Sequence, residues 1–385
     1  QRLHQSQGQS LRAFHVALAA NVFSMLLLLG SGEFLSLFIG WELVSWASFM
    51  LMAVAGGVAT QTALRYLVYG FSGGMAILGG LAMIYTLTGS FQYADLAAAV
   101  PALTNGQLWV LIALIGGGFA VKLGLVPFHL WQPGGYAETP GPGAAFLGSI
   151  SARMGLYGSL VVFIGIIGIT RLMQMGVPYT LMSARELLCW IAALTIIFPT
   201  YTALQQHDAR YLLAWHGVGQ GGYMLLGLLM LDKMGTAGGL MHVFNHASYQ
   251  AALFMSVFAI IHRTGVSDLN KLGGLVTRMP LSFLVMLVGI IGLAGLPPMN
   301  GFVSKWMIYR GLLDEGMVLY FMLAVAGTLG SVLYCYKLIH NIFLGQLRLE
   351  HQTLREVPWS MSVPMLVLAA LMFATGYMPG IVLDR

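Results

Sequence analysis

Charge is what this chain has least of. Asp, Glu, Lys and Arg make up 8% of its 385 residues, against roughly 25% in a soluble domain. With a mean hydropathy of +0.80, such a chain cannot cover a water-facing surface and reads as an all-α polytopic membrane protein. Cysteine is nearly absent too: Cys189 and Cys335 both fall in apolar segments with no partner at a meaningful spacing. Neither a disulfide nor a thiolate metal site is supported. The formal charge of +5 and the pI near 9.2 arise from basic residues scattered over short loops, not clustered beside aromatics, which excludes a nucleic-acid partner. No nucleophile triad, phosphate loop or cofactor fingerprint appears, so no catalytic residue is assigned. The glycine run Gly116 to Gly118 and the pair Gly73 and Gly74 suit close helix packing instead. The opening QRLHQSQGQS lacks an initiating Met, a basic n-region and a small-residue cleavage site, and is expected to lie inside a longer protein.

What is present is a series of apolar segments. Each is near the ~20 residues that cross a hydrocarbon core as helix, and about eleven can be drawn. The first five are Leu11 to Ser31, Glu33 to Val54, Thr62 to Leu87, Gln107 to Pro133 and Pro142 to Thr170. After a polar connection come Glu186 to Leu204, Tyr211 to Leu231, Gly235 to Ile261, Leu281 to Leu313 and Gly316 to Phe343, with Val363 to Val382 last. The fourth member of each set of five is interrupted beside a lysine. In ALIGGGFAVKLGLVPFHLWQP, Pro127 follows Lys122; in GLAGLPPMNGFVSKW, Pro297, Pro298 and Gly301 precede Lys305. A proline removes a backbone donor and clashes with the preceding turn, so both helices break and free carbonyls that must line a cavity or a protein interface. The spacing predicts a first five-helix repeat over 11–170, a second over 184–343 and an extra helix over 361–382. Five spans is odd, so the second repeat enters from the opposite side, an inverted-topology arrangement typical of secondary transporters. Nine loop Lys and Arg fall on the amino-terminal side, Arg2 among them, against five opposite, Arg385 among them. That bias places the amino terminus in the cytoplasm.

The polar residues inside these segments carry the functional signal, because intramembrane charge is costly and marks ion paths by default. Glu42 alone among thirteen acidic residues sits deep, roughly 14 Å down its helix at 1.5 Å per residue. Lys122 is its nearest candidate partner, and separating the two would let the lysine release a proton, which an arginine would not do. A kinked helix with a static ion pair is the plainer alternative. Arg153, in SISARMGLYG, is expected near mid-depth as a fixed charge. His242, His246 and Gln250 recur at i, i+4 and i+8 on one helix face, and imidazole carries protons at neutral pH. The His-x-x-x-His spacing lacks a third ligand, so no metal site is assigned. Interhelical hydrogen bonding is the competing reading for this face. His216, Gln220 and Tyr223 repeat the pattern on the preceding helix, while Lys305 should sit near the midplane as a counterpart of Lys122. His129 and Trp131 are expected at the interface, and Tyr334, Tyr336, Lys337 and His340 are expected to snorkel.

The phrases FIGWELVSWASFML, VKLGLVPFHLWQP, DARYLLAWHGVGQGGYMLLG, GGLMHVFNHASYQAALF and DLNKLGGLVTRMPLSF, with GLAGLPPMNGFVSKW, carry a resemblance. Over nearly its whole length the chain resembles the antiporter-like membrane subunits of respiratory complex I, membrane-bound hydrogenases and Mrp-type cation/proton antiporters. The resemblance implies that Glu42 and Lys122 are the family's ion pair. It also implies that the histidine helix and Lys305 continue a charged axis along the midplane, and that protons move without a cofactor bound by this chain. It implies further membrane subunits and a peripheral redox module whose iron–sulfur, flavin or nickel–iron centres lie in partners, all in the cytoplasmic membrane. On this basis the chain is expected to be a non-catalytic proton-translocating subunit of a redox-driven complex, NADH:quinone oxidoreductase-like or hydrogenase-like. Its alternatives are a subunit of a Na+ or K+/H+ antiporter and a structural subunit with a vestigial channel. The family usually has lysine at Gln250, lysine or histidine at Arg153, and often histidine at Gln220; three helices expected before the first segment are missing.

Overall fold

A computed structural model describes residues 11–384; Arg2 and Arg385, counted above for orientation, lie outside them. Among the described residues the chain is helical, with isolated backbone bridges and no strand. Eight helices are long and apolar enough to cross a bilayer. Helices α1 (Leu11–Leu29), α2 (Phe34–Ala53) and α3 (Gly57–Thr88) come first. Next, α4 (Asn105–Leu111) opens with a capping box in which Thr104 and Gln107 satisfy each other's first-turn donors. It continues through a π turn into α5 (Gly117–Leu123), which ends at the break; α6 (Gln132–Ala137) follows.

The segment expected as one helix from Pro142 to Thr170 is instead interrupted. Helix α7 (Gly141–Ser149) stops, Ile150 takes φ −121° and ψ −46°, and a 3-10 turn Ser151–Arg153 leads into α8 (Met154–Ser159). Arg153 therefore caps a turn and does not sit mid-helix. The sequence there offers only Gly and Ser, which permit an interruption without forcing one as proline does.

Then come α9 (Ala184–Gln205), α10 (Ala209–Leu228), α11 (Lys233–Thr264), α12 (Pro280–Ala294), α13 (Asn300–Asp314), α14 (Val318–Phe343) and α15 (Trp359–Tyr377). Asp208 and Asp232 accept hydrogen bonds from first-turn amides and fix where α10 and α11 begin. Helix α12 is only 15 residues long, and α10 and α11 carry the histidines and glutamines. These three, with α13, also 15 residues long, fall outside the eight.

The chain forms two compact units: 11–143 with 150–192, and 144–149 with 193–384. One boundary between these units falls inside α9. In the first unit α1 and α2 form an antiparallel pair, and α3 packs on both α2 and α5. In the second, α11 is the central element, packed against α10, α12, α13 and α15. That position explains why α11 can keep four polar side chains, His242, Asn245, His246 and Gln250, fully buried.

Candidate functional site

Both breaks end in the same backbone device. Helix α5 stops at Gly124 with φ 73° and ψ 38°, and α12 stops at Gly295 with φ 73° and ψ 43°. This left-handed cap suits glycine because it has no Cβ to clash. Aligned on these glycines, Lys122 lies two residues before the turn, whereas Lys305 lies ten after it. The residue in register with Lys122 is Leu293. Lys305 Nζ reaches back across the break and donates to the Leu293 carbonyl at 2.8 Å. The two lysines thus bring an ammonium to corresponding places from opposite sides of the interruption.

In the first unit Lys122 is 3% exposed, and its Nζ donates to the Tyr66 hydroxyl at 2.5 Å while lying 5.0 Å from the ring centroid. The expected direct contact with Glu42 is not made: the carboxylate feels the lysine's charge but forms no ion pair with it, and Glu42 Oε1 is buried without a hydrogen-bond partner. Gly74 is the reason the carboxylate fits where it does, since a Cβ there would collide with Glu42 Oε1. The ammonium therefore has two neighbours of opposite kind, a neutral hydroxyl that holds it and a free carboxylate nearby.

His129 and Trp131, expected at the interface, are buried. Trp131 Nε1 donates 2.8 Å to the Val121 carbonyl, satisfying backbone next to the break. Gln132 packs its amide oxygen against Gly124 and is fully buried with both amide atoms unpaired. Arg153, also buried, acts electrostatically on the Tyr136 hydroxyl.

The second unit gathers most of the remaining predicted residues into one buried chain. His242 Nε2 lies 3.0 Å from Gln220 Oε1, and its Nδ1 lies 2.8 Å from Ser304 Oγ. Because Gln220 Oε1 only accepts, the network assigns the proton to His242 Nε2 and leaves Nδ1 facing the serine hydroxyl. Gln220 Oε1 also accepts from Tyr249 at 3.1 Å, and its amide nitrogen stands 3.5 Å from His216 Nδ1, the limit of a hydrogen bond. The same His216 Nδ1 bonds Tyr334, which donates 3.0 Å to Ser331, which in turn donates 2.9 Å to the Gly327 carbonyl; with the Tyr334 hydrogen spent on Ser331, Nδ1 donates to Tyr334 and the Gln220 amide only stands beside it. At the other end Asn245 donates to Ser304 at 3.0 Å and to the Asn300 carbonyl at 2.8 Å, and Asn300 donates to Ser248 and Thr375. His246 stacks with His216, ring centroids 6.1 Å apart.

Gln250 is brought to the same helix but not to the same chain. Its amide donates 2.9 Å to the Leu213 carbonyl, a tether between α10 and α11. Tyr334, expected to snorkel, is fully buried and closes the network. Lys337 instead caps α9 by donating to the Leu204 and Gln206 carbonyls at 2.9 and 2.6 Å. Sequence reasoning missed Tyr66, Tyr334, Ser304, Asn245 and Asn300. Asn245 alone had a signal, lying three residues from His242 on the same face.

Chemically, imidazoles and hydroxyls linked by hydrogen bonds in a buried interior, with Lys305 next in sequence to Ser304, can hold and pass protons. The amide of Gln220 fixes a tautomer and does not itself take up a proton. Among the described residues no cluster of His, Cys, Asp and Glu has metal-binding geometry.

The sequence profile of the family described as NADH:quinone oxidoreductase/Mrp antiporter, TM, matches residues 31–333. NADH-quinone oxidoreductase subunit N of Desulforudis audaxviator (strain MP104C) is 30% identical over 380 residues, covering 95% of this chain and 74% of that protein. An Na+/H+ antiporter subunit of Alkalihalophilus pseudofirmus is also 30% identical, over 97% of this chain and 48% of its own length. Among solved structures, a chain of the membrane-bound sulfane sulfur reductase, an archaeal respiratory membrane complex, superposes with TM-score 0.88 at 28% identity, covering 95% of this chain and 60% of that one. A chain of the Mrp complex from Dietzia sp. DQ12-45-1b gives 0.86 at 22% identity, covering 96% and 75%, and shares the fold.

Proposed function

The chain belongs to the NADH:quinone oxidoreductase/Mrp antiporter transmembrane family, and from that premise we propose that this multi-pass membrane protein is a proton-translocating subunit of a redox-driven membrane complex. It binds no redox centre itself; iron–sulfur, flavin or nickel–iron groups belong to a peripheral module and neighbouring membrane subunits. The observation that carries the reading is the fully buried polar cluster in which Gln220, His242 and Ser304 are hydrogen-bonded in series and the His216–Tyr334 pair stands beside Gln220, with Lys305 adjacent on α13. Fully buried polar networks are expensive unless they serve a path or a fixed geometry. Two five-span repeats of opposite insertion, each with a broken helix, supply the half-channels; the matching caps at Gly124 and Gly295 support that division. The loop charges support a cytoplasmic amino terminus in the cell membrane.

In the first unit, Lys122 moves between the Tyr66 hydroxyl and the Glu42 carboxylate, gaining or losing a proton as its neighbour changes. In the second, His242 accepts a proton at Nδ1 from the Ser304 side while Gln220 holds Nε2–H. The protonated ring then gives the Nδ1 proton back on the Ser304 side after the break beside Lys305 has moved, because the Nε2 side ends at the Gln220 oxygen, which takes up no proton.

A second reading, a component of a cation/proton antiporter, is favoured by the 30% identity to the Alkalihalophilus pseudofirmus antiporter protein over 97% of the chain. Everted vesicles containing the native assembly separate the two. Acidification driven by an electron donor and abolished by Lys305→Met supports the redox reading. Acidification or alkalinisation driven only by an imposed Na+ gradient replaces it with the antiporter reading. Parental rates in Lys305→Met under both drives refute translocation by this chain.

A further inference from the structure

Each lysine at a break has a tyrosine beside it, Lys122 at the hydroxyl edge of Tyr66 and Lys305 over the ring of Tyr223, and the two arrangements are built independently. Lys122 is 5.0 Å from the centroid of Tyr66, a residue of α3; Lys305 is 5.1 Å from the centroid of Tyr223, a residue of α10. One lysine precedes its break and the other follows it, and the two tyrosines occupy different helices of their units. Common position in a repeat therefore does not account for the coincidence. An ammonium in low dielectric needs electron density around it, and an aromatic face supplies it without adding a second charge.

At Lys305 the hydrogen-bond acceptor is the Leu293 carbonyl, the Cys335 thiol also feels the charge, and the ring is the further side of the seat. Tyr223 is held there by its hydroxyl, which donates 2.6 Å to the Ala324 carbonyl and lies 2.8 Å from Thr328 Oγ1. Both residues belong to α14. The ring is consequently fixed by one helix while the charge it faces is carried by another.

We propose that Tyr66 and Tyr223 are positioning residues that seat the ammonium groups of Lys122 and Lys305 at the two helix breaks, keeping each charge in the membrane interior without a bonded carboxylate. This rests on the translocation reading. The two seats differ in one respect that makes them testable. Tyr66 offers its hydroxyl as an acceptor at the ring edge, whereas Tyr223 offers the ring face and spends its hydroxyl on α14.

The test compares Tyr223→Phe, which keeps the ring, with Tyr223→Leu, which keeps only apolar volume, using initial rates of proton translocation by the intact assembly in vesicles, normalised to the amount of assembled protein. Removing a cation–π attraction from a desolvated site corresponds to roughly a 5- to 30-fold effect. Tyr223→Leu is expected to fall by that factor while Tyr223→Phe keeps at least half the parental rate. Tyr66→Phe, which loses the acceptor that Lys122 uses, should fall about as far as Tyr66→Leu, the reverse of the order expected at Tyr223. The thermal midpoint lowered by Tyr223→Leu should be lowered much less when Lys305→Met is already present, an interaction that packing alone would not produce.

Parental translocation in both leucine variants, or equal midpoint shifts with and without Lys305, overturns the proposal. If that happens while Lys305→Met is inactive, the function stands and only the seating role fails. If Lys305→Met also translocates at the parental rate, the functional reading fails first.

Discussion

Replacing Gln220 by leucine removes an amide of similar volume from the centre of the second unit's polar chain. In the native arrangement its oxygen accepts from His242 at 3.0 Å and from Tyr249 at 3.1 Å. Both donors are fully buried and would lose that acceptor. A hydrogen bond inside a membrane protein is worth about 0.6 and at most about 1.7 kcal/mol, so Gln220→Leu, which removes two, should destabilise the protein by about 1–3 kcal/mol. The functional effect should be larger than the stability loss implies. Without Gln220, His242 is free to carry its proton on Nδ1, which blocks acceptance from Ser304, and translocation should fall at least ten-fold in assembled protein. Gln220→His, which restores a group that can both accept and donate, should recover most of the rate.

Gln250→Leu is the matched control, because that side chain only tethers α11 to the Leu213 carbonyl. It should cost about 0.6 kcal/mol and leave translocation above half the parental value. Thermal unfolding followed by tryptophan fluorescence, together with dye-monitored proton uptake in proteoliposomes, reads both quantities. Equal transport in the Gln220→Leu and Gln250→Leu proteins would refute the argument that connectivity through Gln220 matters.

Three further outcomes are expected. Gly74→Ala places a methyl group on the Glu42 carboxylate, so it should reduce translocation as Glu42→Gln does while assembly, checked by native gel, survives. Gly301→Ala drives a Cβ into the Gly292 carbonyl, a backbone clash that cannot rotate away, and should lower the thermal midpoint more than Gly74→Ala. Asp208 gives a pH effect. Burial pushes its pKa up, but hydrogen bonds from Arg210 and Ser267 and the Arg210 charge outweigh that and hold it below the ordinary 3.8. Its folded value being depressed, the stabilisation is complete above the unfolded value and is lost as pH falls through the folded one. Asp208→Asn should therefore flatten the midpoint-versus-pH curve below about pH 4 and cost about 1 kcal/mol at neutral pH, a difference that equilibrium unfolding across pH would show or exclude.

The positions of both breaks could be read from Pro127, Pro297 and Pro298, because a missing backbone donor acts locally and leaves a mark in one dimension. The shared face of His242, His246 and Gln250 followed equally from helical period. What each side chain does with its face did not follow. Gln250 turns to a backbone carbonyl while His242 turns to Gln220 and Ser304, a distinction set by which helix lies opposite. Tyr66 and Tyr334 carried no signal at all, since a tyrosine in an apolar helix is indistinguishable from a core or interface residue until its partner, 56 or 118 residues away, is placed beside it. The interruption at Ile150–Arg153 was hidden for a related reason: Gly and Ser tolerate helix and turn alike, and tertiary packing decides. Glu42 and Lys122 stand out in the sequence as charges within apolar segments, but pairing them by sequence proximity overlooked the hydroxyl that Lys122 takes in preference.

The central claim is that charge at the helix breaks is there to move protons. It is tested most directly by the number of protons translocated per electron transferred, or per cation exchanged, in vesicles carrying the intact assembly with Lys122→Met. The account expects that ratio to drop while the partner reaction continues and the assembly remains whole. An unchanged ratio, with Lys122 neutralised and the complex intact, would contradict it.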